Sequence, residues 1–241
     1  SSSTPLDEKQ MLIDVYDRNN GEYWINNEGW IGTNTSQCEW YGITCDSEGY
    51  IQAIDLNFNN VTGSFQSYAI SYLKRLESLK MSGNKLDGKI DQIHRESGLT
   101  HIDLSLNYLS GEAQLLLSPS IREVNISHNK FTSIQQFREW KRGYNSLVSA
   151  DFSHNDIKQD CSEVLTIAPP NIRVLRFNDN SIHGQLPSPL PILEELRELF
   201  INNNRLSGTI PPILHCTELT GREASETMEH MSLATNATSR W

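Results

Sequence analysis

Apolar residues recur along most of this chain in one uneven frame. They stand at offsets 0, 3 and 5, followed by an asparagine at offset 8 and another apolar residue at offset 10. The frame fits Ile51-Ile54-Leu56-Asn59-Val61, Leu76-Leu79-Met81-Asn84-Leu86 and Leu99-Ile102-Leu104-Asn107-Leu109. It fits again at Ile121-Val124-Ile126-Asn129-Phe131 and Leu147-Ala150-Phe152-Asn155-Ile157. The last two fits are Ile172-Leu175-Phe177-Asn180-Ile182 and Leu196-Leu199-Ile201-Asn204-Leu206. The seven starts lie 22 to 26 residues apart. Offsets 3 and 5 share one side of a short strand, because side chains alternate along extended backbone. The chain then turns, and the residue at offset 10 points inward again. A single unit cannot cover its own apolar face, whereas stacked units cover one another. The pattern therefore predicts seven strands paired in parallel about 4.8 Å apart. The asparagine at the bend can both donate to and accept from turn backbone that the sheet no longer pairs. Asn59, Asn84, Asn107, Asn129, Asn155, Asn180 and Asn204 are thus expected to be structural.

Glycine follows at offset 12 in five units, as Gly63, Gly88, Gly111, Gly184 and Gly208. Two units end Gly-x-Leu-Pro and Gly-x-Ile-Pro, at Gly184–Pro187 and Gly208–Pro211. This resembles the plant-type leucine-rich repeat, LxxLxLxxNxLxGxIP, over residues 51–214. The resemblance implies an α/β fold, a right-handed solenoid of seven repeats with the parallel sheet on its inner face and a cap at each end. Ser133 and Gln159 replace glycine in the fourth and fifth units, which are expected to lack the second strand of the class. Phe137, Trp140 and Tyr144 are spaced as one face of a short outer helix.

Residues 1–50 precede the first unit. Leu12, Ile13, Val15 and Tyr16 predict a helix there. The stretch Cys38–Cys45, with Trp40 and Gly42 inside it, resembles the C-x-W-x-G-V-x-C cap of plant-type leucine-rich repeat proteins. Asn19–Trp24 and Gly29-Trp30 are similar to algal and protist forms of that cap. The resemblance implies a Cys38–Cys45 bridge fixing Trp24, Trp30, Trp40 and Tyr41 over the first repeat. If those two cysteines pair, Cys161 and Cys216 remain for each other. That bond requires the chain after Pro212 to fold back along the outer side. Residues 215–241 read as a C-terminal cap or a stalk, with Met228, Met231 and Leu233 available to cover the last unit.

The four cysteines suit an oxidising compartment. Sequons at Asn34, Asn60, Asn125 and Asn236 point the same way, to a secreted or cell-surface glycoprotein of wall or matrix. A net charge of −10 over 241 residues argues against nucleic acid, which needs a basic surface. No apolar run reaches the roughly 18 residues that cross a bilayer.

The outward residues at offset 4 are Asp55, Lys80, Asp103, Asn125, Asp151, Arg176 and Phe200. Serine or asparagine fills offset 6, a column expected to be open to an extended chain. Phe58, Asp103, Asp151, Arg176, Asp179 and Phe200 are the candidate binding residues, because aromatic and arginine side chains anchor interfaces. His101, His128 and His154 lack a well-placed further ligand, so no metal and no cofactor is expected. No Gly-x-Ser-x-Gly, His-Glu-x-x-His, phosphate-loop or dinucleotide motif occurs, and the reading is not an enzyme. The expected function is an extracellular recognition module, monomeric, binding a protein, peptide or glycan. Its size is similar to that of the short ectodomains of plant co-receptor kinases. A structural or adhesive wall protein and an inhibitor of a secreted hydrolase are the alternatives.

Overall fold

A computed structural model describes residues 4–30, 35–91, 98–114, 119–134, 146–166, 168–169, 171–187, 195–208 and 230–232. Its centre is a nine-stranded sheet. Seven of the strands come one from each unit: Ile51–Asp55, Ser78–Lys80, His101–Asp103, Glu123–Asn125, Ser149–Asp151, Val174–Arg176 and Glu198–Phe200. All seven run parallel, and their register aligns Ile54, Leu79, Ile102, Val124, Ala150, Leu175 and Leu199 in one row. That row is offset 3 of the frame, and every member of it is buried. The offset-5 row, from Leu56 to Ile201, is buried beside it.

Each asparagine at offset 8 ties its own unit to the one before. Asn107 Nδ2 donates to the carbonyl of Met81 in the preceding unit at 2.9 Å, and its Oδ1 accepts the Leu86 amide at 2.9 Å. Asn84, Asn129, Asn155, Asn180 and Asn204 repeat both bonds one rung along. Asn59 makes the corresponding pair of bonds to Asn26 of the N-terminal region. The seven side chains thus replace the sheet's own hydrogen bonds where the chain leaves it.

Short outer strands pair Thr62–Ser64 with Lys85–Asp87, Ser110–Ala113 with Lys130–Ile134, and His183–Gln185 with Arg205–Ser207. The expectation that the fourth unit lacks such a strand is corrected. Lys130–Ile134 is a five-residue strand, and its register shifts between Gly111 and Glu112. The offset-12 glycines adopt positive φ, which side chains rarely take, whereas Ser133 stays extended and the ladder absorbs the difference in that shift. The fifth unit has only an isolated bridge from Asp160 to His183, followed by the helix Cys161–Thr166.

The expected N-terminal helix spans Pro5–Arg18, opened by a capping box between Thr4 and Asp7. The strand Ile43–Cys45 closes the sheet by pairing antiparallel to Ile51–Asp55. Cys38 and Cys45 are bridged, with Cα atoms 5.4 Å apart. Trp24, Trp30 and Trp40 pack ring on ring with Tyr16, centroids 4.9–6.0 Å apart, whereas Tyr41, expected in this cluster, is 38% exposed and is replaced there by the helix residue Tyr16. At the other end His230–Ser232 adds a parallel strand to Glu198–Phe200, inside the segment read as cap or stalk. The expected bond from Cys161 to Cys216 is corrected: Cys161 is a free thiol, buried beside the helix it opens, and burial pushes its pKa up to about 12. Cys216, the aromatic trio Phe137, Trp140 and Tyr144, and the sequons at Asn34 and Asn236 lie outside the described residues.

Candidate functional site

Strand pairing sets the offset-4 side chains in a single row across the concave face, from Asp55 to Phe200. The Asp and Asn members of this row share one local device. Asp55, Asp103, Asn125 and Asp151 each turn Oδ1 back to accept the amide two residues on. Ser105, Ser127 and Ser153 also donate their hydroxyls to the same oxygens, at 2.6–2.8 Å. Ser82 and Ser105 bond to each other at 2.7 Å.

The expectation of an open serine column is therefore corrected. Ser82, Ser105, Ser127 and Ser153 are all buried, Ser105 at 5% exposure. Ser105, Ser127 and Ser153 are held in by their bonds to offset 4, and Ser82 by its bond to Ser105. Every offset-7 residue, from Phe58 to Asn203, adopts positive φ, and this left-handed step turns the chain away from the strand just after the serine. The step was readable in residue type: five of the seven are Gly83, His128, His154, Asp179 and Asn203, which tolerate that region.

The atoms the device leaves over are Oδ2 of Asp103 and Asp151 and Nδ2 of Asn125. Asp103, Asn125 and Asp151 line an open hollow of about 490 Å³ together with Lys80, His101, Glu123 and Arg176. Asp103 belongs to this hollow. At its C-terminal edge Arg176 organises three neighbours. Its Nη2 meets Glu198 at 2.8 Å, its Nη1 lies 3.8 Å from Asp151, and its guanidinium sits 5.4 Å from the Phe200 ring centre. Asp151, Arg176 and Phe200 thus come together.

Asp179 does not join them directly, because it sits in the offset-7 column. There it accepts from Asn178 and Asn203, each at 2.7 Å, and lies 3.4 Å from His154 Nε2. Burial alone would raise its pKa, but those two hydrogen bonds, with His154 and His128, outweigh burial and hold the carboxyl below its ordinary value. His128 stacks on His154 with ring centres 4.0 Å apart. Burial first, and then His154, push the His128 imidazole below its usual pKa, against the pull of Asp151 and Asp179. Among the described residues no three metal-ligating side chains converge. Phe58 stands far from this patch, at the first repeat, and is 64% exposed.

Two sequons fall on described residues. Asn125 occupies the middle of the concave row. Asn60 lies on the flank, where its Nδ2 donates to the Tyr23 carbonyl at 2.8 Å. No helix of the described residues is long and apolar enough to cross a membrane.

Comparison with known proteins gives a consistent picture. The Leucine Rich Repeat family matches residues 195–216. Serine/threonine-protein kinase BRI1-like 1 of Arabidopsis thaliana is 26% identical over 152 residues, covering 61% of this chain and 13% of that protein. The chain thus spans a small part of that curated relative. The Arabidopsis receptor kinase HAESA, solved with the peptide hormone IDA and the co-receptor SERK1, aligns with a TM-score of 0.70. It is 20% identical, and the alignment covers 95% of this chain and 41% of that one. The BIR2 ectodomain from Arabidopsis thaliana aligns with a TM-score of 0.58 and 19% identity, over 72% of this chain and 92% of its own. At these identities the solved structures speak for the fold. The sevenfold frame, the solenoid folded from it and these likenesses agree on a leucine-rich repeat solenoid similar in fold to plant receptor ectodomains.

Proposed function

We propose that this chain is an extracellular recognition module that binds a protein or peptide partner against the C-terminal part of its concave face. The observation that carries the reading is the Arg176 cluster. A guanidinium lies over a half-buried aromatic ring and between two carboxylates, on an otherwise polar sheet face. Arginine and aromatic side chains anchor interfaces because they bring large contact area with directed hydrogen bonds. Asp179 and its asparagine partners extend the patch sideways. HAESA, similar in fold, was solved with a peptide hormone, which supports a peptide as one partner class. A glycan partner, and a structural, adhesive or inhibitory role, remain the competing readings. The paired cysteines of the cap and the sequons support a secreted or cell-surface setting.

The test is capture from native extracellular medium by the intact chain and by Arg176→Ala and Phe200→Ala variants. Partners retained by the wild type and reduced at least tenfold by either variant, about 1.4 kcal/mol or more, support the patch. Undiminished capture by both variants removes it.

A further inference from the structure

The offset-7 column changes character half-way along the solenoid. Its last four members are His128, His154, Asp179 and Asn203, types that tolerate left-handed backbone. Its first three are Phe58, Gly83 and Leu106. Phe58 and Leu106 hold φ of +52° and +54°, a region in which bulky apolar side chains are genuine outliers. Burial does not explain them, since Phe58 is 64% and Leu106 45% exposed. Gly83 completes the strip. A Cβ there would meet the Phe58 ring, so the ring lies across the glycine and closes the gap toward Leu106.

Two residues further along, the first four units carry Asn60, Lys85, Tyr108 and Lys130 on the flank, and the Asn60 amide is tied to the Tyr23 carbonyl at 2.8 Å. Tyr108 is 51% exposed, and Lys130 Nζ lies 4.8 Å from its ring centre. Both lysines are exposed. A chain of net charge −10 thus presents an apolar strip edged by cations.

We infer that the flank formed by Phe58, Leu106 and Tyr108, with Lys85 and Lys130 on the rungs beside Leu106 and Tyr108, is a docking strip for a short apolar segment of a partner protein that also carries acidic residues. Rung spacing makes the strip roughly 10 Å long, which fits one segment and falls far short of the roughly 800 Å² per partner of a broad interface. The cations select an acidic segment by charge complementarity. The left-handed step at offset 7 is common to all seven units, and Phe58 and Leu106 differ in placing large exposed apolar side chains on it. This surface is separate from the Arg176 patch on the concave face.

The test pans a displayed library of random 12-residue peptides against the full chain. Binders are measured against the wild type, F58N/L106N, K85E/K130E and R176A/F200A, with thermal melts of each protein. The expected binders combine Leu, Ile or Phe with Asp or Glu. They lose at least tenfold in affinity to F58N/L106N and at least fivefold to K85E/K130E, and they are unchanged by R176A/F200A. F58N/L106N is expected to melt no lower than the wild type, since asparagine suits left-handed backbone. Lower melting of that variant shows a structural role for the two residues and overturns the inference. So does a library that yields no binders, or only binders indifferent to both flank variants. Binders lost only in R176A/F200A overturn the strip and leave the concave reading standing. A wild-type dimer that becomes monomeric in F58N/L106N makes the occupant a second copy of the chain and overturns the assigned partner.

Discussion

Asn107 commits its whole amide group to backbone. Nδ2 reaches the carbonyls of Met81, Leu104 and Ser105, and Oδ1 takes the Leu86 amide. Asn107→Ala leaves those buried groups unpaired and is expected to cost about 1–3 kcal/mol in a urea melt. Ser105 was readable only as a residue on a wet strand face, where loss of a hydroxyl costs under about 0.5 kcal/mol. Its burial and its 2.6 Å bond to Asp103 raise the expected cost of Ser105→Ala to about 0.5–1.5 kcal/mol. Equal losses for the two variants would contradict this ranking. His128 adds a pH dependence. Its folded pKa is depressed, so below about 6.5 the unfolded chain binds the proton more readily than the folded one. Stability therefore holds above that pH and falls as pH drops through the shifted value. His128→Asn removes the imidazole and keeps a side chain suited to φ of +53°. The variant should lose less stability than the wild type between pH 7 and pH 5, and parallel losses would show that other groups govern that window.

The N-terminal cap shows what a short motif carries. The resemblance carried by Cys38, Trp40, Gly42 and Cys45 implied a bridge and an aromatic cluster; the bridge is present, and the cluster forms with Tyr16 in the place expected for Tyr41. It did not reveal that Ile43–Cys45 becomes an antiparallel edge strand on the first repeat. That pairing links residues from both sides of a turn, and no periodicity announces it. The bridge closes a loop between residues 7 apart, so its loss is expected to cost about 2–3 kcal/mol. Denaturation of Cys38→Ser/Cys45→Ser followed by tryptophan fluorescence should show the cap emission shifting at lower urea than in the wild type. An unshifted transition would place the tryptophan cluster's stability elsewhere. The fourth and fifth units make the opposite point. Both lack the offset-12 glycine, yet one forms an outer strand and the other forms a bridge and a helix. A missing glycine removes a preference for one turn, and the neighbouring rungs then decide what replaces it.

Across the solenoid, what a partner can reach depends on Asn125. It lies in the middle of the concave row between Asp103 and Asp151. Its Oδ1 is held by Ser127, and Nδ2 is the atom a glycan would take. Intact glycopeptide mass spectrometry on protein from its native secretory route is expected to find Asn125 occupied. A glycan there fills the centre of the face and restricts partners to the Arg176 end and the flank. A bare Asn125 would reopen the length of the sheet to an extended chain.

Seven repeats, their inner strands and the structural asparagines were legible in residue order, because each rests on a period set by local geometry: two residues for a strand, about 24 for a coil of stacked units. Polarity along the strands also named the concave row correctly. Only the folded chain decided which polar atoms remain available on it. Hydrogen bonding between offsets 4 and 6 turns the serines inward, and strand register brings Arg176 to Asp151, Glu198 and Phe200 while leaving Asp179 with the histidines. Those choices depend on distances between side chains one rung apart, some 20–25 residues away in sequence, and on a left-handed step that places Phe58 and Leu106 in solvent. A periodic pattern specifies which side of a strand a residue occupies, and neighbouring rungs determine what that residue bonds.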